Sequence, residues 1–228
     1  MARWGMVIDF DKCVGCQSCS IACKAENNVP HGSPEEHRKR TAPFWQKVIA
    51  VSNGEYPVQR TDLIPMPCMH CDNAPCVMVC PARATYHRDD GIVIQNFRRC
   101  IGCKYCIVAC PYGVRSFNYK EPVEQEYHRP DPPPNREDKG VWPYPHRVHG
   151  VVEKCTFCFH RMDEAVKQGK RVGEEVVTAC AEACPARAIH FGDLDDHNSE
   201  VSKLLAARPS IRLREGMGTH PKVYYLLK

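Results

Sequence analysis

Residues 100–111 read CIGCKYCIVACP, a run of four cysteines closed by a proline, and this stretch decides the fold. Residues 13–23 repeat its spacing, C-x2-C-x2-C-x3-C, and two further groups carry the same pattern with insertions. The 16 cysteines of this 228-residue chain therefore form four groups of four, with none left over. The groups are Cys13, Cys16, Cys19 and Cys23; Cys68, Cys71, Cys76 and Cys80; Cys100, Cys103, Cys106 and Cys110; and Cys155, Cys158, Cys180 and Cys184.

The spacing distinguishes among the three common uses of cysteine. Disulfide frameworks are typical of short secreted chains, and zinc sites use two C-x2-C pairs about a dozen or more residues apart. The compact C-x2-C-x2-C-x3-C run is the bacterial ferredoxin pattern, which holds iron–sulfur cubanes with the fourth cysteine on the neighbouring cluster. Because the pattern recurs four times, the 16 thiolates predict four [4Fe–4S] clusters and a protein that carries electrons.

The lengths of the connections predict which motifs pair. Residues 81–99, between the second and third motifs, hold one predicted strand, which is about the layout of a two-cluster ferredoxin. Residues 68–119 are therefore predicted to form an inner domain, and residues 1–67 with 120–228 an outer, discontinuous one with a C-terminal tail. The predicted fold class is α+β, with two interleaved ferredoxin domains and long loop insertions. Pairing the first motif with the second and the third with the fourth is the alternative.

Crossed ligation within each pair predicts four ligand sets. They are Cys13, Cys16, Cys19 and Cys184; Cys155, Cys158, Cys180 and Cys23; Cys68, Cys71, Cys76 and Cys110; and Cys100, Cys103, Cys106 and Cys80. These cysteines are the only metal ligands predicted. No glycine-rich phosphate loop, nucleophile elbow or carboxylate pair stands out, so no catalytic residue and no small-molecule substrate is predicted.

Charge and hydropathy limit the classes of partner that this chain is expected to bind. The formal net charge of +4 counts cysteine as neutral, whereas each oxidised cubane with its thiolates contributes about −2. The basic side chains therefore balance the clusters, and nucleic acid is not a predicted partner. No run of 18 apolar residues is present, and the first motif begins at Cys13, so we expect no transmembrane helix and no leader peptide.

Hydrophobic periodicity predicts the remaining elements. Strands are expected at residues 6–10, 91–95, 114–119, 188–192 and 223–227, and helices at 18–27, 159–170, 176–184 and 200–207. Strands 47–51 and 56–60 flank Ser52-Asn53-Gly54, a predicted hairpin turn. Residues 32–42 are expected to be a surface loop, and the proline-rich residues 120–150 an irregular connection.

A few residues outside the cysteine ligands could also act on the clusters or on partner proteins. His70 and His160 are placed to hydrogen-bond a cluster sulfur, although a surface position is the simpler assignment. Lys24 occupies the position after the first motif where ferredoxins often have proline, which leaves the local turn open. The basic residues 37–40 suit a solvated loop. Trp142 and Tyr144 in the proline-rich connection suit either a docking surface or a groove of the protein itself.

Several short phrases resemble one family closely. The chain is similar to the four-cluster electron-transfer subunits of molybdopterin oxidoreductases, the group that includes dimethyl sulfoxide, polysulfide and tetrathionate reductases. The phrases are Cys71-Asp72-Asn73-Ala74-Pro75-Cys76, Cys100-Ile101-Gly102-Cys103-Lys104-Tyr105-Cys106, Cys110-Pro111-Tyr112-Gly113, Lys154-Cys155-Thr156-Phe157-Cys158 and Gly218-Thr219-His220-Pro221.

The resemblance implies partners and a location. A catalytic subunit would carry a molybdenum bis-pterin cofactor, and an integral membrane subunit would exchange electrons with quinone. This chain would then be a peripheral, non-catalytic subunit at the membrane, with the side of the membrane and the substrate left open. Two alternatives are a free-standing polyferredoxin and a zinc-binding interaction module, which the colour and metal content of the purified protein would distinguish.

Overall fold

The computed structural model of the protein describes residues 2–119 and 149–227. The docking surface predicted around Trp142 lies outside the described residues. The strands are β1 Trp4–Asp9, β2 Lys47–Asn53, β3 Arg60–Met66, β4 Thr85–His87, β5 Val93–Gln95, β6 Ser116–Phe117, β7 Val152–Glu153, β8 Ile189–Asp193, β9 Ser210–Ile211 and β10 Val223–Leu226. The α-helices are α1 Ser18–Asn27, α2 Pro34–Arg38, α3 Pro75–Met78, α4 Tyr105–Val108, α5 Phe159–Lys167, α6 Ala179–Glu182 and α7 Glu200–Ala207.

The largest sheet joins the two ends of the described chain. Its strand order is β8-β1-β10-β9, with β1 antiparallel to β8 and parallel to β10. Met6 and Ile8 pack with the cysteine-containing core, whereas Val7 packs on the other face with Val201 of α7 and Leu226 of β10. The sheet therefore separates the cysteine core from α7, and burial of both faces explains the unbroken apolar run in β1.

Three two-stranded sheets surround the cysteine core. They are β2-β3, β4-β5 and β6-β7, and all three are antiparallel. The predicted hairpin exists, but its second strand begins at Arg60, so the prediction of a strand over 56–60 was wrong. The two strands face each other from Asn53 and Arg60, and Pro57 lies in the connecting loop. Proline has no N–H to donate to a ladder, which favours the longer loop.

Two of the predicted helices match their observed bounds. The other two are shorter than predicted, and they end or begin near residues whose backbone is not helical. Helices α1 and α7 are as expected, whereas α5 ends at Lys167, shortly before Gly169 with its φ of 68°. The helix expected over 176–184 shrinks to α6, because Thr178 is extended at its start. Helix α2 was missed, although Ser33 and Glu36 form a capping box at its start.

No helix within residues 2–119 or 149–227 is both long enough and apolar enough to cross a bilayer.

Candidate metal centres

Two pairs of short helices carry the cysteines that link neighbouring sets. Helix α1 packs against α6, and α3 packs against α4. Each helix holds a cysteine that is followed four residues later by a second one, about one helical turn further along; in α1 both cysteines lie within the helix. These pairs are Cys19 and Cys23 from α1, Cys76 and Cys80 from α3, Cys106 and Cys110 from α4, and Cys180 and Cys184 from α6. A helix of this kind directs its two sulfurs to two different sites.

Three cavities are each lined by four cysteines. The lining cysteines are Cys13, Cys16, Cys19 and Cys184 in the first; Cys23, Cys155, Cys158 and Cys180 in the second; and Cys80, Cys100, Cys103 and Cys106 in the third.

The remaining four cysteines also lie together. Cys71 is close enough to Cys68, Cys76 and Cys110 for their charges to interact. Thr219 hydrogen-bonds the Cys71 thiol. Which cysteines hold each cluster stays a prediction. The sulfurs of a set surround a cavity and do not converge on one point: across the described ranges, no three His, Cys, Asp or Glu side chains have single-ion spacing.

The first and third motifs share a backbone conformation as well as a spacing. Gly15 and Gly102 have φ of 68° and 69°, and the residues after the second cysteines, Gln17 and Lys104, have φ of 65° and 63°. A Cβ atom at Gly102 would collide with the carbonyl oxygen of Gly150, so glycine is required there. These left-handed residues bend each loop around its cavity.

Hydrogen-bond donors point at several of the sulfurs. The backbone N–H groups of Ala84 and Ala188 donate to the Sγ atoms of Cys80 and Cys184 over 3.2 and 3.3 Å. The side-chain amide of Asn27 donates to the Sγ of Cys23 over 3.6 Å. Donors of this kind stabilise thiolate ligands of iron–sulfur clusters and influence their potentials.

Burial makes several of the thiols poor anions. All 16 cysteines are free. Desolvation raises the pKa of Cys71 and Cys155 to about 12 and that of Cys158 to about 11. A thiolate is stable in such surroundings only beside a compensating cation, which bound iron would supply. Sulfur-only donor sets with N–H groups directed at them therefore fit iron–sulfur clusters.

Family models match the same regions. Models described as a 4Fe-4S dicluster domain match residues 59–127 and residues 99–188, and a 4Fe-4S binding domain matches residues 4–25. The two dicluster models overlap at the third motif, which one joins to the second motif and the other to the fourth. The chain therefore binds multiple [4Fe–4S] clusters.

Curated relatives cover nearly the whole chain. A Halobacterium salinarum protein, described provisionally as an iron–sulfur subunit of dimethyl sulfoxide reductase, is 42% identical over 99% of this chain and 79% of its own length. The menaquinone reductase iron–sulfur cluster-binding subunit of Nitratidesulfovibrio vulgaris is 41% identical over 98% and 88%. The arsenate respiratory reductase iron–sulfur subunit of a Shewanella species is 38% identical over 98% and 96%.

The chain belongs to the dimethyl sulfoxide reductase-like iron–sulfur subunits. Members of this family are electron-transfer subunits of reductase complexes, and this chain shares that role.

In this iron–sulfur subunit, His70 and His160 are not surface residues, so the expectation of a surface position was wrong for both. His70 is 0% exposed, its Nδ1 accepts the N–H of Val93 at 3.1 Å, and its ring stacks on Phe157 at 3.8 Å. His160 is 4% exposed, and its Nε2 lies 2.6 Å from the Glu26 carboxylate. Their burial has no local signature in the sequence, because it depends on elements packed from elsewhere in the chain.

Lys24, at the position after the first motif, is a buried residue of helix α1 in this family member. Helix α1 continues past Lys24 to Asn27, and Asn28 ends it with a φ of 50°. The Lys24 side chain is only 3% exposed, and its Nζ donates to the carbonyl oxygens of Pro30 and Pro43, each at 2.7 Å. The chain therefore does not turn directly after the first motif, and the buried ammonium group of Lys24 fixes the loop that follows the helix.

Replacing Lys24 with alanine is expected to lower the apparent melting temperature of the cluster-loaded protein by about 5 °C or more. The change leaves two buried carbonyls unpaired, at about 1–3 kcal/mol each, in a chain where 1 kcal/mol corresponds to about 2–4 °C. The control is Lys39→Ala, because Lys39 is 66% exposed and pairs only with Glu35 on the surface. Equal shifts in the two variants, measured anaerobically by circular dichroism, would contradict this role.

Two further buried cations were not predicted from the sequence. Arg115 and Lys154 are 6% and 1% exposed, and each lies near cysteine sulfurs. Arg115 belongs to none of the quoted motifs, and Lys154 opens the phrase of residues 154–158, which does not by itself predict burial of the lysine. By contrast, residues 37–40 are exposed, as expected for a solvated basic segment.

Proposed function

We propose that this subunit relays single electrons through four [4Fe–4S] clusters, between a molybdopterin-containing catalytic subunit and a quinone-linked membrane subunit. Each cluster, when bound, accepts and releases one electron. The proposed ligands are the four crossed cysteine sets, in an inner domain of residues 68–119 interleaved with an outer domain formed by the rest of the chain. The protein itself is proposed to have no catalytic residue.

The serial arrangement of the cysteine sets is the main support for a relay. Cys19 of the first cavity interacts electrostatically with Cys180 of the second. Cys155 of the second cavity interacts with Cys68 of the next set. Cys76 of that set interacts in turn with Cys106 of the last cavity. Each set is therefore adjacent to the next, as electron hopping along a chain of sites requires.

The two ends of this series are the parts that reach the surface. Among the cysteines, Cys16 and Cys103 are exposed, and they belong to the first and last sets. Val14 beside the first is 66% exposed, whereas Ile101 and Val108 beside the last are 68% and 82% exposed. Exposed apolar side chains next to both terminal sites suit electron entry and exit through contacts with partner subunits.

The residues between the two ends of the series fix the positions of the cysteine sets and exclude water from them. The helices α1, α3, α4 and α6 each connect two neighbouring sets, so the spacing between sites is fixed by rigid backbone. Buried cysteines share the core with apolar residues such as Met6, Phe157 and Phe191. A low-dielectric surrounding limits the solvent reorganisation that accompanies each electron movement.

The names of the relatives support the proposed partners. One relative is named for menaquinone, and others for arsenate, selenate and tetrathionate. We therefore place this chain as a peripheral subunit of a membrane-bound complex. The variety of named substrates indicates that substrate choice belongs to the catalytic partner.

Metal analysis with copurification tests the proposal. Anaerobically prepared protein is expected to hold about 16 iron and about 16 sulfide per chain, and to copurify with a large and a membrane-embedded subunit. Adding a quinol to this complex is expected to bleach the broad cluster absorbance. A colourless protein with stoichiometric zinc would contradict the cluster assignment, and a brown monomer that never binds a partner would favour a free polyferredoxin.

A further inference from the structure

Arg115 is a buried cation held by neutral partners. It follows the third motif, and its guanidinium Nη1 donates to the Oε1 of Gln95 at 3.2 Å and to the Oγ1 of Thr85 at 3.4 Å. Thr85 and Gln95 lie opposite each other in the β4-β5 hairpin. The hairpin thus positions the guanidinium without supplying any negative charge.

The charge of Arg115 faces sulfurs from both inner sets. Cys76 and Cys106 are its strongest electrostatic neighbours, followed by Cys68. Cys76 and Cys68 belong to one proposed ligand set, and Cys106 belongs to the other. Arg115 therefore lies where it acts on two neighbouring sites at once.

No carboxylate neutralises this guanidinium within residues 2–119 and 149–227. Arg115 forms no ion pair with a carboxylate there, and its side chain hydrogen-bonds the Cys76 sulfur. Other partly buried arginines differ in this respect. Arg88 pairs with Asp90 and Asp163, and Arg161 pairs with Glu26 and Glu182. Anionic clusters on either side of Arg115 would supply the negative charge that no carboxylate provides.

A fixed positive charge favours the more reduced, more negative state of any nearby redox site. Arginine stays protonated at all accessible pH values, so its charge does not depend on conditions. In a buried position the interaction is only weakly screened by water and salt. One charge located between two sites raises both potentials together and leaves the energy difference between them largely unchanged.

We propose that Arg115 is a tuning residue that raises the reduction potentials of the two inner clusters jointly. This inference rests on the proposed function, because it requires the inner sets to hold clusters. It assigns no role to Arg115 in ligation or in the folding of the outer sites.

The test is an anaerobic redox titration of the whole subunit, followed by electron paramagnetic resonance. In Arg115→Gln, two of the four potentials are expected to fall by at least the equivalent of a tenfold change in the oxidised-to-reduced ratio, about 59 mV for one electron. The other two potentials are expected to stay within a threefold change. Arg115→Lys, which keeps the charge, is expected to retain the parent potentials.

The matched control is Arg99→Gln. Arg99 directly precedes Cys100 of the same inner set, but its side chain is exposed to water, so removing its charge is expected to change every ratio less than threefold. If Arg115→Gln does not load its clusters, Arg115→Met is the second neutral variant, since it leaves no new polar group to satisfy.

The outcomes of the titration distinguish a failure of the role proposed for Arg115 from a failure of the proposed function. Unchanged potentials in a fully loaded Arg115→Gln, a shift of only one cluster, or an equal shift of all four would overturn the role of Arg115 alone. Fewer than four clusters in the unmodified protein would instead contradict the proposed function. Inner and outer signals are distinguished by comparison with a variant that lacks Cys184, which perturbs an outer site.

Discussion

Replacing Cys184 with alanine is expected to disrupt the cluster held by Cys13, Cys16 and Cys19, although Cys184 lies much nearer in sequence to Cys180. The reason is geometric, because Cys184 lines the cavity of the first motif and Cys180 lines a different one. We expect the loss of about four of about sixteen irons, or conversion of that one cluster to a three-iron form. Iron analysis and electron paramagnetic resonance of the reduced protein measure both outcomes.

The reciprocal variant is Cys23→Ala. Cys23 lies on α1 with Cys19, but it lines the cavity of Cys155, Cys158 and Cys180. The two variants should therefore remove two different signals. If Cys184→Ala removed the signal that Cys23→Ala removes, the crossed assignment would be refuted and the alternative pairing of motifs would regain support.

Stripping iron and sulfide from the protein is expected to abolish its cooperative thermal transition. Nine of the cysteines belong to the main hydrophobic core, and three of the four sheets formed by residues 2–119 and 149–227 have only two strands. Two-stranded sheets are marginal by themselves, so the packing around the clusters must supply much of the folding free energy. Circular dichroism of the chelated protein should show the loss of the melting transition and of most ordered structure.

Reconstitution is the control for this expectation. Anaerobic addition of iron and sulfide should restore the transition, whereas zinc alone should not, because the sulfurs of each set surround a cavity and do not converge on one ion. A stripped protein that melts cooperatively at the same temperature as the loaded one would show that the clusters are not required for the fold.

The sequence predicted well those features that local rules decide. The positions of α1 and α7 follow from hydrophobic periodicity over one continuous segment, and the structure has both helices at the expected residues. The cofactor type follows from cysteine spacing, and the family models support it. The grouping of the two domains and the ligation of each cluster stay predictions that the variants above will test.

The errors fall where a residue's surroundings come from distant parts of the chain. The second strand of the hairpin was placed too early, since the position of Pro57 decides where pairing can begin. His70 was expected at the surface, yet Val93 and Phe157 enclose it from sequence positions far away. A single histidine carries no signal of such enclosure.

The sequence by itself determined the type of cofactor. Cysteine spacing is a local property, because the loop that wraps a cluster is formed by a short continuous segment. Only the tertiary structure decided the electrostatic environment of those cysteines. Burial of Arg115 and Lys154 beside the sulfurs depends on how β4, β5 and β7 pack around them. The strength of a charge depends on the dielectric around it, and that surrounding exists only once the chain is folded.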